Sequence, residues 1–127
     1  MDLSARGFLG REEKKLPGVR YVVIQTETPE RAADFYKSVF ELEEIGKVSA
    51  GSLRLTDGDI TLELTRKQSI GKPGIQYFGF QVEDWSQAKS RCKEIGVELP
   101  QPKGRETEVQ LTDPEGNLFA VSERGWQ

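Results

Sequence analysis

Glu63 stands in the run ITLELTR (60–66), a carboxylate set among aliphatic and β-branched neighbours. Strand alternation places it on one face with Thr61 and Thr65, and places Arg54, from the run SLRLT (52–56), on the matching face next door. One chemistry for such a carboxylate is general-base catalysis, or capture of a cationic or hydroxylated ligand, with desolvation raising its pKa. Another is a structural ion pair with Arg54. The two are compatible. The planar fork of Arg54 also suits a ligand carboxylate or phosphate. Tyr21 and Tyr77 lie in the runs GVRYVVIQT (18–26) and GIQYFGFQV (74–82) and offer flat rings and phenol hydrogen bonds. Gln25, Gln81 and Gln110 are polar liners, and Trp126 is an indole able to close a cavity or meet a second subunit. Cys92 falls on an apolar helix face, where it reads as an inert core residue.

Whole classes of chemistry are missing. The 127 residues include no histidine, which excludes Ser-His and Cys-His catalysis and every histidine-ligated zinc, iron or nickel site. With 18 Lys+Arg against 21 Asp+Glu, the net charge of −3 gives no electrostatic reason to expect nucleic acid or an acidic membrane surface as partner. The single cysteine permits no intrachain disulfide and fits the reducing cytoplasm. Residues 1–16 interrupt their few apolar side chains with charges and read as an N-terminal arm, not a signal peptide. No later stretch approaches the ~18 apolar residues of a membrane span.

The elements that must position these residues are readable from pattern. GVRYVVIQT has strand composition. Thr28 and Pro29 suit a helix start, followed by Ala32, Phe35, Tyr36, Val39 and Phe40 as one apolar face. A weak strand signal covers 44–49, and Asp57-Gly58 is a turn signal joining 52–56 to 60–66 in a hairpin. After a linker at 67–74 the order recurs. A strand at 74–82 leads to a helix capped by Asp84, with Trp85, Ala88, Cys92 and Ile95 inward and Gly96 at its end. VELPQP (97–102) is at best a broken strand, and TEVQLT, DPEGN and LFAVS form a second hairpin over 107–122.

The spacing repeats. Tyr77 follows Tyr21, and Asp84 follows Thr28, by the same 56 positions, while Ala120 follows Glu63 by 57. A duplicated β-α-β-β-β unit explains this, with modules 17–66 and 74–125 in one domain spanning 17–127. A helix covers only one face of such a unit. The other face carries Tyr21, Gln25, Arg54 and Glu63 in the first half and Tyr77, Gly79, Glu108, Gln110 and Ala120 in the second. Its mixture of polar and aromatic groups suits a cavity lining.

RYVVIQTETPERAADFYKSVFEL, with its Phe-Tyr pair midway along the helix, and the closing DPEGNLFAVSE together resemble the vicinal oxygen chelate superfamily. That superfamily includes glyoxalase I, extradiol dioxygenases and bleomycin resistance proteins. The resemblance covers about residues 17–125 and implies an α+β fold: paired βαβββ modules, U-shaped mixed sheets, a cleft and a homodimer. Metal-dependent relatives place ligands at four strand positions, which fall here on Tyr21, Glu63, Tyr77 and Ala120. Only Glu63 matches. One carboxylate and two phenols of pKa ~10 make a weak divalent site at neutral pH, so no metal or cofactor is expected.

The leading expectation is therefore a metal-independent small-molecule-binding protein. Its planar or amphipathic ligand would meet Tyr21, Gln25, Arg54, Glu63, Tyr77, Gln110 and Trp126. The alternatives are a metal-free lyase or isomerase with Glu63 as catalytic base, and a degenerate fold without ligand.

Overall fold

The computed structural model describes residues 16–49, 51–67 and 71–127. The expected arm lies outside them, apart from Leu16. In chain order the elements are β1 (Gly18–Thr26), α1 (Pro29–Phe40), β2 (Glu43–Ser49), β3 (Ser52–Thr56), β4 (Thr61–Arg66), β5 (Gly74–Gln81), α2 (Trp85–Glu94), β6 (Val109–Thr112) and β7 (Leu118–Ser122). The strands form one sheet in the order β2-β3-β4-β1-β5-β7-β6. β1 runs parallel to β4 and β5 parallel to β7, while the two halves join through an antiparallel β1–β5 pair.

The register carries the internal repeat. Val23 sits beside Glu63 in the first half, and Gly79, 56 positions on, sits beside Ala120 in the second. Arg54 faces Glu63, and its counterpart Gln110 faces Ala120. At the joint Val22 faces its own counterpart, Phe78. The halves are thus related by a local two-fold through that pair. The second half has one strand fewer than the first. Residues 97–102 form no strand, because Pro100 and Pro102 supply no N–H to a ladder and hold φ near −65°.

Two core clusters lie under the helices. Ala33 of α1 packs with Leu53, Leu55 and Leu64, flanked by Ile24, Ala32, Tyr36, Leu42 and Leu62. The apolar face expected on α1 is only partly inward. Phe35, Val39 and Phe40 are 54%, 55% and 60% exposed, and the helix meets the sheet through Pro29 and Ala33 instead. Small side chains let the helix axis sit close, which leaves the aromatic residues on the outside. There Phe35 packs edge-on against Tyr36 and Phe40, with centroids 5.3 and 6.2 Å apart.

Under α2, Trp85, Val82, Leu99, Val109 and Val121 are buried together, with Ala88 and Cys92 against them. The Asp84 carboxylate accepts the N–H groups of Ser86 (2.8 Å) and Gln87 (3.2 Å), capping the helix. At the other end the Gly96 N–H bonds the Lys93 carbonyl and the Val97 N–H bonds the Cys92 carbonyl, with Gly96 at φ +79°. Ile95 stands where the chain leaves the helix and is 77% exposed, so the inward position expected for it is taken by Leu99. In the DPEGN turn, Asp113 Oδ1 accepts from the Glu115 and Asn117 backbone, each at 2.9 Å, and Oδ2 accepts from the Asn117 side chain. The bonds from Asn117, side chain first, hold this carboxyl below the usual range.

Candidate functional site

On the sheet face opposite the helices, alternation brings Tyr21 from β1, Arg54 from β3, Glu63 from β4 and Tyr77 from β5 toward one place. Arg54 lies directly across from Glu63 in the ladder, and its Nε donates to Glu63 Oε1 at 2.9 Å. The Tyr21 hydroxyl donates to the same oxygen at 2.6 Å. These side chains are largely enclosed, with Arg54 26% and Glu63 12% exposed and Tyr21 buried. The Arg54 guanidinium also lies 5.7 Å from the centre of the Tyr21 ring, within cation–π range. Tyr77 meets Tyr21 edge-on at 5.9 Å.

The space over Tyr21 is occupied by Trp126, which follows β7. The two rings stack 4.4 Å apart and within 6° of parallel. Trp126 Nε1 donates to Glu108 Oε1 at 2.7 Å, and its backbone carbonyl accepts from Arg54 Nη1 at 3.1 Å. Gly79 makes the room. A Cβ there would stand 2.7 Å from the Trp126 ring. Gly125, at φ +82°, turns the chain inward, and its N–H is held by Ser122 Oγ. Beside Trp126 opens a cavity of about 390 Å³ whose lining includes Arg20, Asp59, Gln81, Arg124 and Gln127.

Electrostatics follow from this enclosure. Burial first, then the bond to Glu63 and its charge, push the Tyr21 hydroxyl far above the usual tyrosine range. Tyr77 is raised by burial and by the negative charge of Glu108. Burial opposes the charge of Arg54, but the bond to Glu63 and its charge outweigh that, and the net direction is up.

The four positions on which the resemblance places metal ligands do not suit a divalent ion. Tyr21 is committed as a proton donor, Glu63 Oε1 already holds two donors, and Ala120 has no ligating atom. A phenolate at Tyr21 is out of reach near neutral pH. Among the described residues, no three His, Cys, Asp or Glu side chains are gathered where they could hold a metal.

Of the residues singled out by sequence, the structure brings together Tyr21, Arg54, Glu63, Tyr77 and Trp126. Two others make no side-chain hydrogen bond to these five among the described residues. Gln25 has a buried Oε1 with no hydrogen-bond partner among the described residues, packed close to Gly71. Gln110 is exposed on β6 and donates to Glu108 Oε2 at 3.2 Å. Glu108 and Gly79 were readable as face residues but not as partners of Trp126. A glycine inside an aromatic, β-branched strand is the signal that another group approaches there.

The family described as Glyoxalase/Bleomycin resistance protein/Dioxygenase superfamily matches residues 18–121. Among solved structures, the hypothetical protein BH1468 from Bacillus halodurans C-125 aligns with a TM-score of 0.64 at 18% identity, covering 89% of this chain and 98% of that one. Methylmalonyl-CoA epimerase from Mycobacterium tuberculosis aligns at 0.58 and 19% identity, over 83% of this chain and 86% of that one. The 2,3-dioxygenase LapB from Pseudomonas sp. KL28 aligns at 0.62 and 20% identity over 82% of this chain, which spans only 39% of the dioxygenase. At these identities the likeness is one of fold. No curated protein matches the sequence. With 18–121 covered by the family pattern and the same mixed sheet in its structural neighbours, the chain belongs to the glyoxalase/bleomycin resistance protein/dioxygenase superfamily.

Proposed function

We propose that this chain is a metal-independent small-molecule-binding protein whose ligand, planar or amphipathic, lies in the cleft against Tyr21 and Tyr77 and is oriented by Arg54 and Glu63. Gln25 and Gln110 stand at the periphery of that reading. The observation that carries it is the flat face of Tyr21, turned into the cleft, where the chain's own Trp126 ring stacks on it at 4.4 Å. A floor of this kind grips a planar molecule through stacking, while the Arg54–Glu63 pair at its edge supplies fixed polar groups. A cavity of about 390 Å³ opens beside Trp126, lined by Arg20, Asp59, Thr61 and Gln81 and not by Tyr21, Tyr77, Arg54 or Glu63. Proton abstraction by Glu63 is the second reading: Tyr21 and Arg54 both donate to Oε1, so a substrate proton would have to go to Oε2.

A thermal-shift screen of aromatic and cationic metabolites tests this proposal. A ligand at 100 times its Kd should add ~2.7 kcal/mol of stability. Tyr21→Ala and Glu63→Gln should each weaken a ligand so found, and unchanged affinity in both variants would put the site elsewhere. A homodimer and a cytoplasmic location belong to the same proposal. The exposed Phe35, Val39 and Phe40 support the first and the lone Cys92 the second. No helix among the described residues is long and apolar enough to cross a membrane.

A further inference from the structure

Residues 123–127 belong to no strand, and each of their hydrogen bonds among the described residues has a side chain at one end. Nevertheless this segment places an enclosed indole in the cleft. Trp126 is 5% exposed, and each of its recognition features is met separately. The ring face is met by Tyr21, the ring N–H by Glu108, and the carbonyl oxygen by Arg54. Ring and carbonyl are joined through two carbons, the spacing found in indole-3-propionate.

We propose that the slot between Tyr21 and Gly79 is a binding site for a bicyclic N–H heteroaromatic acid, and that residues 123–127 are a strap that fills the slot and yields it to that ligand. The proposal rests on the cleft-binding reading above and names its ligand class. A free acid improves on the strap at one point. Its carboxylate gives Arg54 Nη1 a charged acceptor in place of a neutral carbonyl, a shorter and stronger bond. Glu108 Oε1 remains the acceptor for the ring N–H. Gly79 is what makes the slot deep enough for a two-ring system, since any Cβ there would meet the ring below 3.0 Å.

The test uses indole-3-propionate as probe. In Trp126→Ala the space of the ring is vacant and only the backbone carbonyl still reaches Arg54, so the probe should bind at least tenfold more tightly than to the unaltered chain, where the ring must first leave. A second measurement needs no substitution. The chain has two tryptophans, so ¹⁵N-labelled protein shows two indole N–H resonances, from Trp85 and Trp126. Unlabelled probe should move the Trp126 resonance saturably toward its solvent-exposed position and leave that of Trp85 in place. If Trp126→Ala does not fold, this titration decides alone. Equal affinity in the two proteins overturns the proposal. A probe that binds while Trp126 stays seated also overturns it, yet leaves the cleft-binding function standing. If no planar aromatic of the wider screen binds either protein, both readings fall.

Discussion

Gly79 has no side chain, and Trp126 uses the space. A Cβ at Gly79 would lie 2.7 and 2.9 Å from two carbons of the indole and 3.0 Å from the Tyr21 Cβ. Rigid rings cannot give that distance back through a rotamer change. Gly79→Ala should therefore unseat Trp126 at a cost of about 1–3 kcal/mol, read as a lowered Tm and red-shifted tryptophan emission. Unchanged emission would count against the stacked geometry. The buried tyrosines make a separate prediction for alkaline pH. Native Tyr21 and Tyr77 keep their protons where unfolded tyrosines release them, at about pH 10. Their contribution is complete below that pH and is lost as pH rises beyond it, by up to about 1.4 kcal/mol per pH unit for each ring. Stability measured between pH 8 and 11 should fall with that sign, and Tyr21→Phe should flatten the decline. At this scale the sequence was informative about which residues share a face, because strand alternation is local. It was silent on Glu108 as the indole's acceptor, because that contact spans 18 positions and depends on where the chain turns after β7.

The helices separate two kinds of legibility. The Asp84 cap is written into the sequence and forms as expected, with two backbone donors on one carboxylate oxygen. Thr28 has the same standing by residue type, yet its side chain makes no cap bond in α1. Instead the Thr26 hydroxyl accepts the Thr28 N–H at 3.2 Å. Asp84→Ala should thus cost about 1 kcal/mol, whereas Thr28→Ala should stay within ±0.5 kcal/mol. Comparable losses from chemical denaturation of the two variants would refute the distinction. On α1 the expected apolar face is inward in part: Ala32 and Tyr36 pack against the core, while Phe35, Val39 and Phe40 are exposed. Periodicity shows that Phe35, Val39 and Phe40 share a side, but the residues that touch the sheet are chosen by how closely the helix can approach. Pro29 and Ala33 permit the closer approach.

For the whole molecule, the exposed Phe35, Val39 and Phe40 form an apolar patch that a second copy would cover. Sedimentation should give about twice the 14.3 kDa chain mass, and Phe40→Glu should shift the protein toward monomer. A monomer at all concentrations would remove the dimer from the proposal. Sequence alone determined the family, the duplicated strand-helix-hairpin order and the set of residues on the cleft face. The family was carried by the motifs around DFYKSVFEL and DPEGNLFAVSE, and the other two depend on local periodicity and on spacings of 56 and 57 positions, which the ladder registers reproduce. Through the resemblance it also implied that, of the four positions where metal-dependent relatives place ligands, only Glu63 carries a matching side chain. The tertiary structure alone decided that the cleft is filled by the chain's own indole. That outcome depends on the depth at Gly79, the turn at Gly125 and the placement of Arg54 and Glu108 around one ring, distances between segments that no local pattern encodes.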